Sequence, residues 1–225
     1  MNKEKITVII PTKNEEKSIG EIIEQTKAFA DEVLVVDGHS TDRTREIASE
    51  KGVKVVLDKG KGKGDGLRVG IAEAKEDIIV FIDADGSHNP EDIPRLVKPI
   101  LVGEADLVVG SRIKGGSDEL VGDMGRFIRM TGSNIITLII NYRWGVVLTD
   151  SQNGFRAIRR EVANKLGLKE NIFTIEQEMV MKCLKQGFRI VEVPAHECQR
   201  EFSRSRIIVW RMWPRYVWCL IKNLF

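Results

Sequence analysis

Several features that would place a protein quickly are scarce in this chain. Three cysteines in 225 residues, Cys183, Cys198 and Cys219, are an odd number without metal-ligand spacing. That favours a reducing compartment over a disulfide scaffold. The N-terminal run "MNKEKITVIIP" is too short in apolar residues for a secretory signal. No stretch reaches the roughly 18 uncharged apolar residues of a membrane span. The expectation is a cytoplasmic protein, soluble or held peripherally at the cytoplasmic face of a membrane. A formal charge of only +2 gives no global argument for nucleic acid. Internal repeats and low-complexity linkers are also lacking. What remains is an ordinary globular composition, 42% hydrophobic and 30% charged, long enough for one sizeable core.

The first half alternates short Val/Ile-rich runs with polar segments of helical spacing. "ITVII" (6–10), "EVLVVD" (32–37), "VKVVL" (53–57), "DIIVFID" (77–83) and "ADLVVG" (105–110) suit strands buried on both faces of a parallel sheet. Helices are expected over 16–29, 42–51 and 66–75, with Ser40 or Thr41 capping the second. This rhythm predicts an open α/β sheet whose ligands lie at the carboxyl ends of its strands. Polar motifs fall at four successive ends: "PTKNE", "DGHSTD", "KGKGKGDG" and "DADGSH". The second half predicts a helix over 127–148, a turn, short strand and helix start over 153–161, a helix over 175–187 and a strand over 188–194.

"IIVFIDADGSHNP" ends an apolar run in two acids one residue apart, Asp83 and Asp85. Like charges that close resist ionising together, so a cation is expected between them. A hard divalent ion takes such oxygen ligands and shares them with substrate phosphates. An EF-hand loop is excluded, because His88 stands where its glycine is needed. The glycine-rich "KGKGKGDG" fits neither dinucleotide nor P-loop spacing. Lys61 and Lys63 before a helix would suit a pyrophosphate, and a solvated turn is the alternative. His39 has no partner at ligand spacing. Arg112, Arg126, Arg156, Arg200, Arg204 and Arg206 offer forks for phosphate oxygens.

From Ser203 to Phe225 there are five basic residues and no acidic one. As a helix, Arg204, Arg211, Arg215 and Lys222 share one face. Ile207, Trp210, Trp213, Val217, Leu220, Ile221 and Leu224 lie broadly opposite, with Trp218 nearer the boundary and Pro214 as a kink. That pattern describes an interfacial amphipathic helix over 207–225, not a transmembrane one. Docking on the protein's own core is the alternative.

Taken together the motifs resemble family 2 glycosyltransferases of the GT-A fold, specifically the polyprenyl (dolichyl) phosphate mannose or glucose synthases. The resemblance runs from Ile6 to Arg206 through "IIPTKNE", "VVDGHSTDRT", "KGKGDGLRVGI", "FIDADGSHNP", "VGSRI", "RFIRMTGSN", "DSQNGFRAI", "EQEMVMKCLKQGFRIVEVP" and "REFSRSR". It implies a GT-A, Rossmann-like, mostly parallel central sheet flanked by helices over 1–206. It also implies transfer of a hexose, with inversion, from a nucleotide sugar to a polyprenyl phosphate.

By that resemblance, Pro11, Lys13, Glu15, Asp37 and Lys63 bind the donor nucleotide, with Asp83 near the ribose. Asp85, Asp83 and Ser87 hold Mg2+ or Mn2+. Arg112 and Arg126 lie near the phosphates, and Arg126, Arg200, Ser205 and Arg206 take the acceptor phosphate. Asp150 and Glu178 lie near the reaction centre. Relatives often carry a second acid at Gly38, Gln at Ser87 and Gly at Ser203. The Q-x-x-R-W signature of processive synthases is absent, which implies a single transfer. Expected partners are the nucleotide sugar, the lipid phosphate, the membrane surface and, as a candidate, a separate membrane-anchor subunit. Rival readings are transfer to a hydroxyl in glycan assembly, nucleotidyl transfer, and an inactive nucleotide-sugar-binding module.

Overall fold

Alternate residues of each central strand enter different cores, which is why their sequences read as unbroken apolar runs. Ile9, Leu34, Val36, Ile79, Phe81 and Val109 face one layer of helices. Val8, Ile10, Val35, Val80, Ile82 and Val108 face the other. The computed structural model describes residues 4–118, 124–199 and 209–224.

The first half follows the expected alternation: β1 (Ile6–Thr12), α1 (Ile19–Lys27), β2 (Glu32–Asp37), α2 (Thr44–Glu50), β3 (Lys54–Leu57), α3 (Lys63–Glu73) and β4 (Ile78–Phe81). Then come α4 (Ile93–Leu101), β5 (Leu107–Ser111), the short α5 (Arg112–Gly115) and α6 (Met124–Trp144). The chain continues through β6 (Arg156–Arg159), α7 (Arg160–Lys165), α8 (Ile175–Lys185), β7 (Ile190–Pro194) and α9 (Val209–Leu224). No expectation above covers α4, because Pro94 and Pro99 interrupt its helical pattern. The expected cap of α2 also differs. Asp42 accepts from the Thr44 amide at 3.0 Å, while Ser40 turns back to Asp37.

The seven strands run in the order β3-β2-β1-β4-β6-β5-β7. All pairings are parallel except those of β6, which lies antiparallel to both β4 and β5. An antiparallel strand presents its N-terminal end where its neighbours present their C-terminal ends. The loop before β6, residues 149–155, therefore arrives at the edge where β1, β2 and β4 end in polar motifs.

The glycine-rich run opens α3 earlier than expected, at Lys63. Its glycines serve close packing rather than a phosphate cradle. A Cβ on Gly64 would lie 2.6 Å from the Glu170 carbonyl oxygen and 2.8 Å from that of Ile172. Backbone cannot yield as a flexible side chain can.

The helix α9 is docked on the domain. Cys219, Leu220 and Asn223 are buried and Tyr216 is half-buried, the i, i+3, i+4, i+7 face of a helix against a core. Leu220, expected on the interfacial stripe, belongs to the core, and Lys222 reaches Glu170 at 3.4 Å. Trp213, Trp218 and Ile221 remain exposed. The boundary expected at 206/207 lies outside the described residues. Among those described, no helix is long and apolar enough to cross a membrane.

Replacing Gly64 with alanine should force α3 away from residues 170–172. The expected loss is about 1–3 kcal/mol in urea unfolding, as for other overpacked sites. An unchanged midpoint would show that the two segments separate without cost.

Candidate active site

Two cations, each held by two carboxylates, form the floor of the pocket at the carboxyl edge of the sheet. The Lys63 ammonium lies 2.7 Å from Asp83 and 3.0 Å from Glu176. Burial alone would lower the Lys63 pKa, but Asp83 and Glu176 outweigh it and hold the amine charged. The Arg112 guanidinium grips Asp150 with a fork, Nε to Oδ2 at 2.6 Å and Nη2 to Oδ1 at 3.0 Å. It also reaches Glu197 at 3.4 Å. Burial would raise the Asp150 pKa, yet the Arg112 fork more than reverses this and leaves the carboxylate ionised. Glu192 of β7 positions this pair. It is buried and accepts from the Thr149 and Asp150 amides, both at 2.7 Å.

Beyond β4 the chain turns at Ala84 and Asp85 rather than staying extended. The Asp85 carboxylate accepts from the Ser87 amide at 3.1 Å and the Ser87 hydroxyl at 2.6 Å. Ser87, expected as a metal ligand, thus spends its proton on orienting Asp85. His88 stacks on Phe155 with ring centroids 5.0 Å apart. Burial pushes the His88 pKa down, so the ring is neutral, against the pull of Asp83 and Glu197. Its Nδ1 and the Glu176 Oε2 are buried without a hydrogen-bond partner among the described residues. Unpartnered acceptors beside the Asp83 and Asp85 carboxylates make a donor set that fits a hard divalent cation.

The pocket has a volume of about 140 Å³, and apolar side chains line it from α6 (Ile128, Ile136) and from α9 (Met212, Trp213, Tyr216), with Ser133 and Asn134 of α6 among them. Gly132 lets the Trp213 ring lie close to α6; a Cβ there would sit 3.2 Å from it. Arg129 lines the same pocket.

Of the residues expected at the nucleotide, Lys63 and Asp83 line this pocket, whereas Pro11, Lys13, Glu15 and Asp37 do not. Pro11 lies in β1, paired in register with Val36 of β2, Thr12 pairs with Asp37, and Lys13 follows the strand. Asp37 is fully buried; its carboxylate accepts from the Ser40 amide at 2.9 Å and lies 3.6 Å from Arg45. The loops after β1 and β2 are tied together. The Asn14 amide donates to Ser40 Oγ, and Thr41 N donates to Asn14 Oδ1, each at 2.8 Å. Asn14 and His39 hold positive φ at 53° and 61°, an uncommon conformation for residues other than glycine. Glu15 donates its amide to Thr44 at 2.8 Å, joining the same framework.

Several expectations change. Glu178 does not face the pocket; its buried carboxylate accepts from the Lys169 and Glu170 amides at 2.9 and 2.8 Å and pairs with Lys182. Glu176 takes the cleft position instead. Two residues along a helix turn by about 200°, so only one of the two acids could face inward. The readable signal was Lys182, four residues after Glu178, which supplies that acid with a local partner. Arg156 is no phosphate ligand: it is fully buried and donates to the carbonyls of Asn153 and Glu176. His88 and Arg129, both in the pocket wall, were not singled out for this role. Arg126 lies in α6, and its side chain is outside the described residues, as are Arg200, Ser205 and Arg206.

The strand order, with one antiparallel strand beside β4 and a carboxylate-lined pocket at the carboxyl edge, defines a GT-A glycosyltransferase fold. Residues 7–167 match glycosyl transferase family 2, and the chain belongs to that family of enzymes. It is 36% identical to the uncharacterized protein MJ1222 of Methanocaldococcus jannaschii over 92% of this chain and 86% of that one. It is 29% identical to the UDP-N-acetylglucosamine–dolichyl-phosphate N-acetylglucosaminyltransferase of Methanococcus voltae, over 89% of this chain and 88% of that one. Other relatives are longer: the chain spans 61% and 48% of two Haloferax volcanii glycosyltransferases. Among solved structures, it is similar to the glucosyl-3-phosphoglycerate synthase of Mycobacterium tuberculosis crystallised with Mn2+, UDP and glucosyl-3-phosphoglycerate. That match has 26% identity and a TM-score of 0.77, and covers 98% of this chain and 80% of that one.

The two acids of α8 separate cleanly by experiment. Glu176→Gln should lower kcat by about 100-fold or more in protein that is still folded, beyond the stability it loses by leaving Lys63 with one carboxylate. Glu178→Gln should instead cost about 1–3 kcal/mol of stability with kcat retained, since it weakens buried hydrogen bonds. The reverse pattern would return the catalytic assignment to Glu178.

Proposed function

We propose that this enzyme transfers a hexose, with inversion, from a nucleotide sugar to a polyprenyl phosphate at a membrane surface. The observation that carries this reading is the two-sided pocket. Charged groups line the sheet edge, and an apolar wall of α6 and α9 leads out to the exposed Phe127, Ile128 and Trp213. A charged head on a long apolar chain fits both sides, whereas a small soluble sugar fits one.

The state of the acids supports the same acceptor. A phosphate monoester is already mostly ionised at neutral pH, with a second pKa of about 6, and needs no strong base. Asp150 would be a poor base, since the Arg112 fork keeps its pKa low. The phosphate oxygen forms its bond to the anomeric carbon as the bond from that carbon to the nucleoside diphosphate breaks. Both electrons of the breaking bond leave with the diphosphate. Arg112 has donated three of its five N–H groups to Asp150 and Glu197, which leaves two for a phosphate. Arg129 adds a second guanidinium to the pocket wall.

Carboxylates outnumber cations at the pocket floor, and a bare diphosphate would be repelled there. Asp83, Asp85 and His88 would hold Mg2+ or Mn2+, which when bound supplies charge neutralisation of the departing diphosphate. Ser87 orients Asp85 in that arrangement. The loops carrying Pro11, Lys13, Glu15 and Asp37 bind the nucleoside. The Methanococcus voltae relative favours a dolichyl-phosphate acceptor and a UDP donor.

The exposed Trp218 and Ile221 of α9 would dip into the headgroup region beside the acceptor. Because the other face of α9 is part of the core, the contact is tested by substitution rather than by truncation.

A transfer assay with short polyprenyl phosphate in detergent, offering labelled UDP- and GDP-sugars in turn, tests the reaction. Label should enter the lipid fraction with Mg2+ or Mn2+ and not with chelator, and Asp85→Ala should lower the rate about 100-fold or more. Label found only in water-soluble glycosides would assign a hydroxyl acceptor instead. For the membrane contact, the Trp218→Ser, Ile221→Ser double variant should bind anionic liposomes about tenfold or more weakly with an unchanged melt. Equal sedimentation with the liposomes would exclude α9 as the contact.

A further inference from the structure

Cys198, His196 and Asp118 have no recognisable ligand spacing in the sequence, yet the fold brings them together away from the pocket floor. Their ligand-capable atoms all lie within 4.8 Å of one another. Asp118 follows α5, and the other two follow β7. The segments are laced by backbone: Asp118 N donates to Glu197 O at 2.8 Å, and Glu197 N donates to Gly116 O at 3.0 Å.

The imidazole of His196 is held in place between two oxygen acceptors. Its Nδ1 lies 3.2 Å from the Gly115 carbonyl oxygen, which can only accept, so Nδ1 carries the proton. Nε2 faces Asp118 Oδ2, 3.3 Å away, and the Gly115 and Asp118 oxygens together raise the pKa of the ring, so a metal would take the place of the Nε2 proton. Two lone pairs facing at that distance repel unless a second proton or a cation lies between them. A backbone carbonyl on the remote ring nitrogen is the usual support of a metal-bound histidine. Two glycines make room for it. A Cβ on Gly115 would collide with the Ala195 backbone, and one on Gly116 would lie 2.8 Å from the His196 ring.

We propose that Asp118, His196 and Cys198 form a zinc site, separate from the carboxylate pair at the end of β4. One thiolate, one imidazole and one carboxylate are a zinc ligand set, whereas Mg2+ prefers oxygen alone. Slight side-chain rotation closes the three atoms to the spacing that zinc bonds of about 2.0–2.3 Å demand. The ion would brace Glu197 between them, which accepts from Arg112 and Ser117 and forms part of the pocket wall. Nothing in this assignment depends on the acceptor.

The test uses the full chain, freed of metal by chelation and kept reduced, with Co2+ and then Zn2+ as probes. Co2+ should give the near-ultraviolet charge-transfer band of a cobalt thiolate, and Zn2+ should abolish it. Carboxylates at the donor site cannot produce that band, and Cys183 and Cys219 are buried. Cys198→Ser should remove it. Zinc affinity, measured against a chromophoric chelator in excess Mg2+, should fall about 100-fold or more in His196→Ala and in Asp118→Asn. That floor is the upper end of the loss seen for outer-shell partners. Zinc should also raise the melting temperature of the wild type and not of Cys198→Ser. No charge-transfer band, or a zinc affinity unchanged in either ligand variant, would overturn the site.

Discussion

Pairing of buried charge governs the architecture of the active edge. Lys63 and Arg112 are each enclosed by two carboxylates, and each of these groups comes from a different part of the chain. Removing one partner from such a set leaves an uncompensated charge in a poorly hydrated site, a cost of about 3–5 kcal/mol in comparable cases. The α3 N-terminus, the end of β4, the loop before β6, the start of α8 and the segment after β7 are held in register by these contacts. The groups that line the pocket floor are therefore also the clasps of the fold.

The same pairing sets the electrostatic character of the pocket. Anionic side chains outnumber cationic ones at the floor, although both expected substrates are anions. Such a site works when a cation mediates one of the two approaches and when guanidiniums at the wall receive the other. Asp83 and Asp85 stand just beyond the end of β4, while Arg129 reaches the pocket from α6. A floor built this way disfavours a bare anion.

Much of the fold was legible because its strands are apolar on both faces and end abruptly. "DIIVFID" could scarcely be anything but a central strand, and its acids mark the ligand edge. Less could be read where tertiary partners decide a side chain's role. Asp37 looks like a donor-nucleotide ligand in sequence, yet its carboxylate is occupied by the turn that follows it. Glu176 and Glu178 are equivalent by composition, and only the helix phase separates them. Gly64 belongs to a run that suggests phosphate binding, but its reason is the backbone of residues 170–172, a hundred positions later. His88 gains its role from Phe155 and Glu197, neither of which is near it in the chain.

The placement of β6 has a consequence for how the protein is made. β5 pairs only with β6 and β7, both of which come later in the chain. During synthesis β1 to β4 can assemble in order as they emerge, but β5 emerges with neither edge covered. Its sequence "LVVGS" is apolar and uncharged, the kind of strand that seeks any available partner. The interval between translation of residues 111 and 194 is therefore the period in which the nascent chain is most exposed to misassociation.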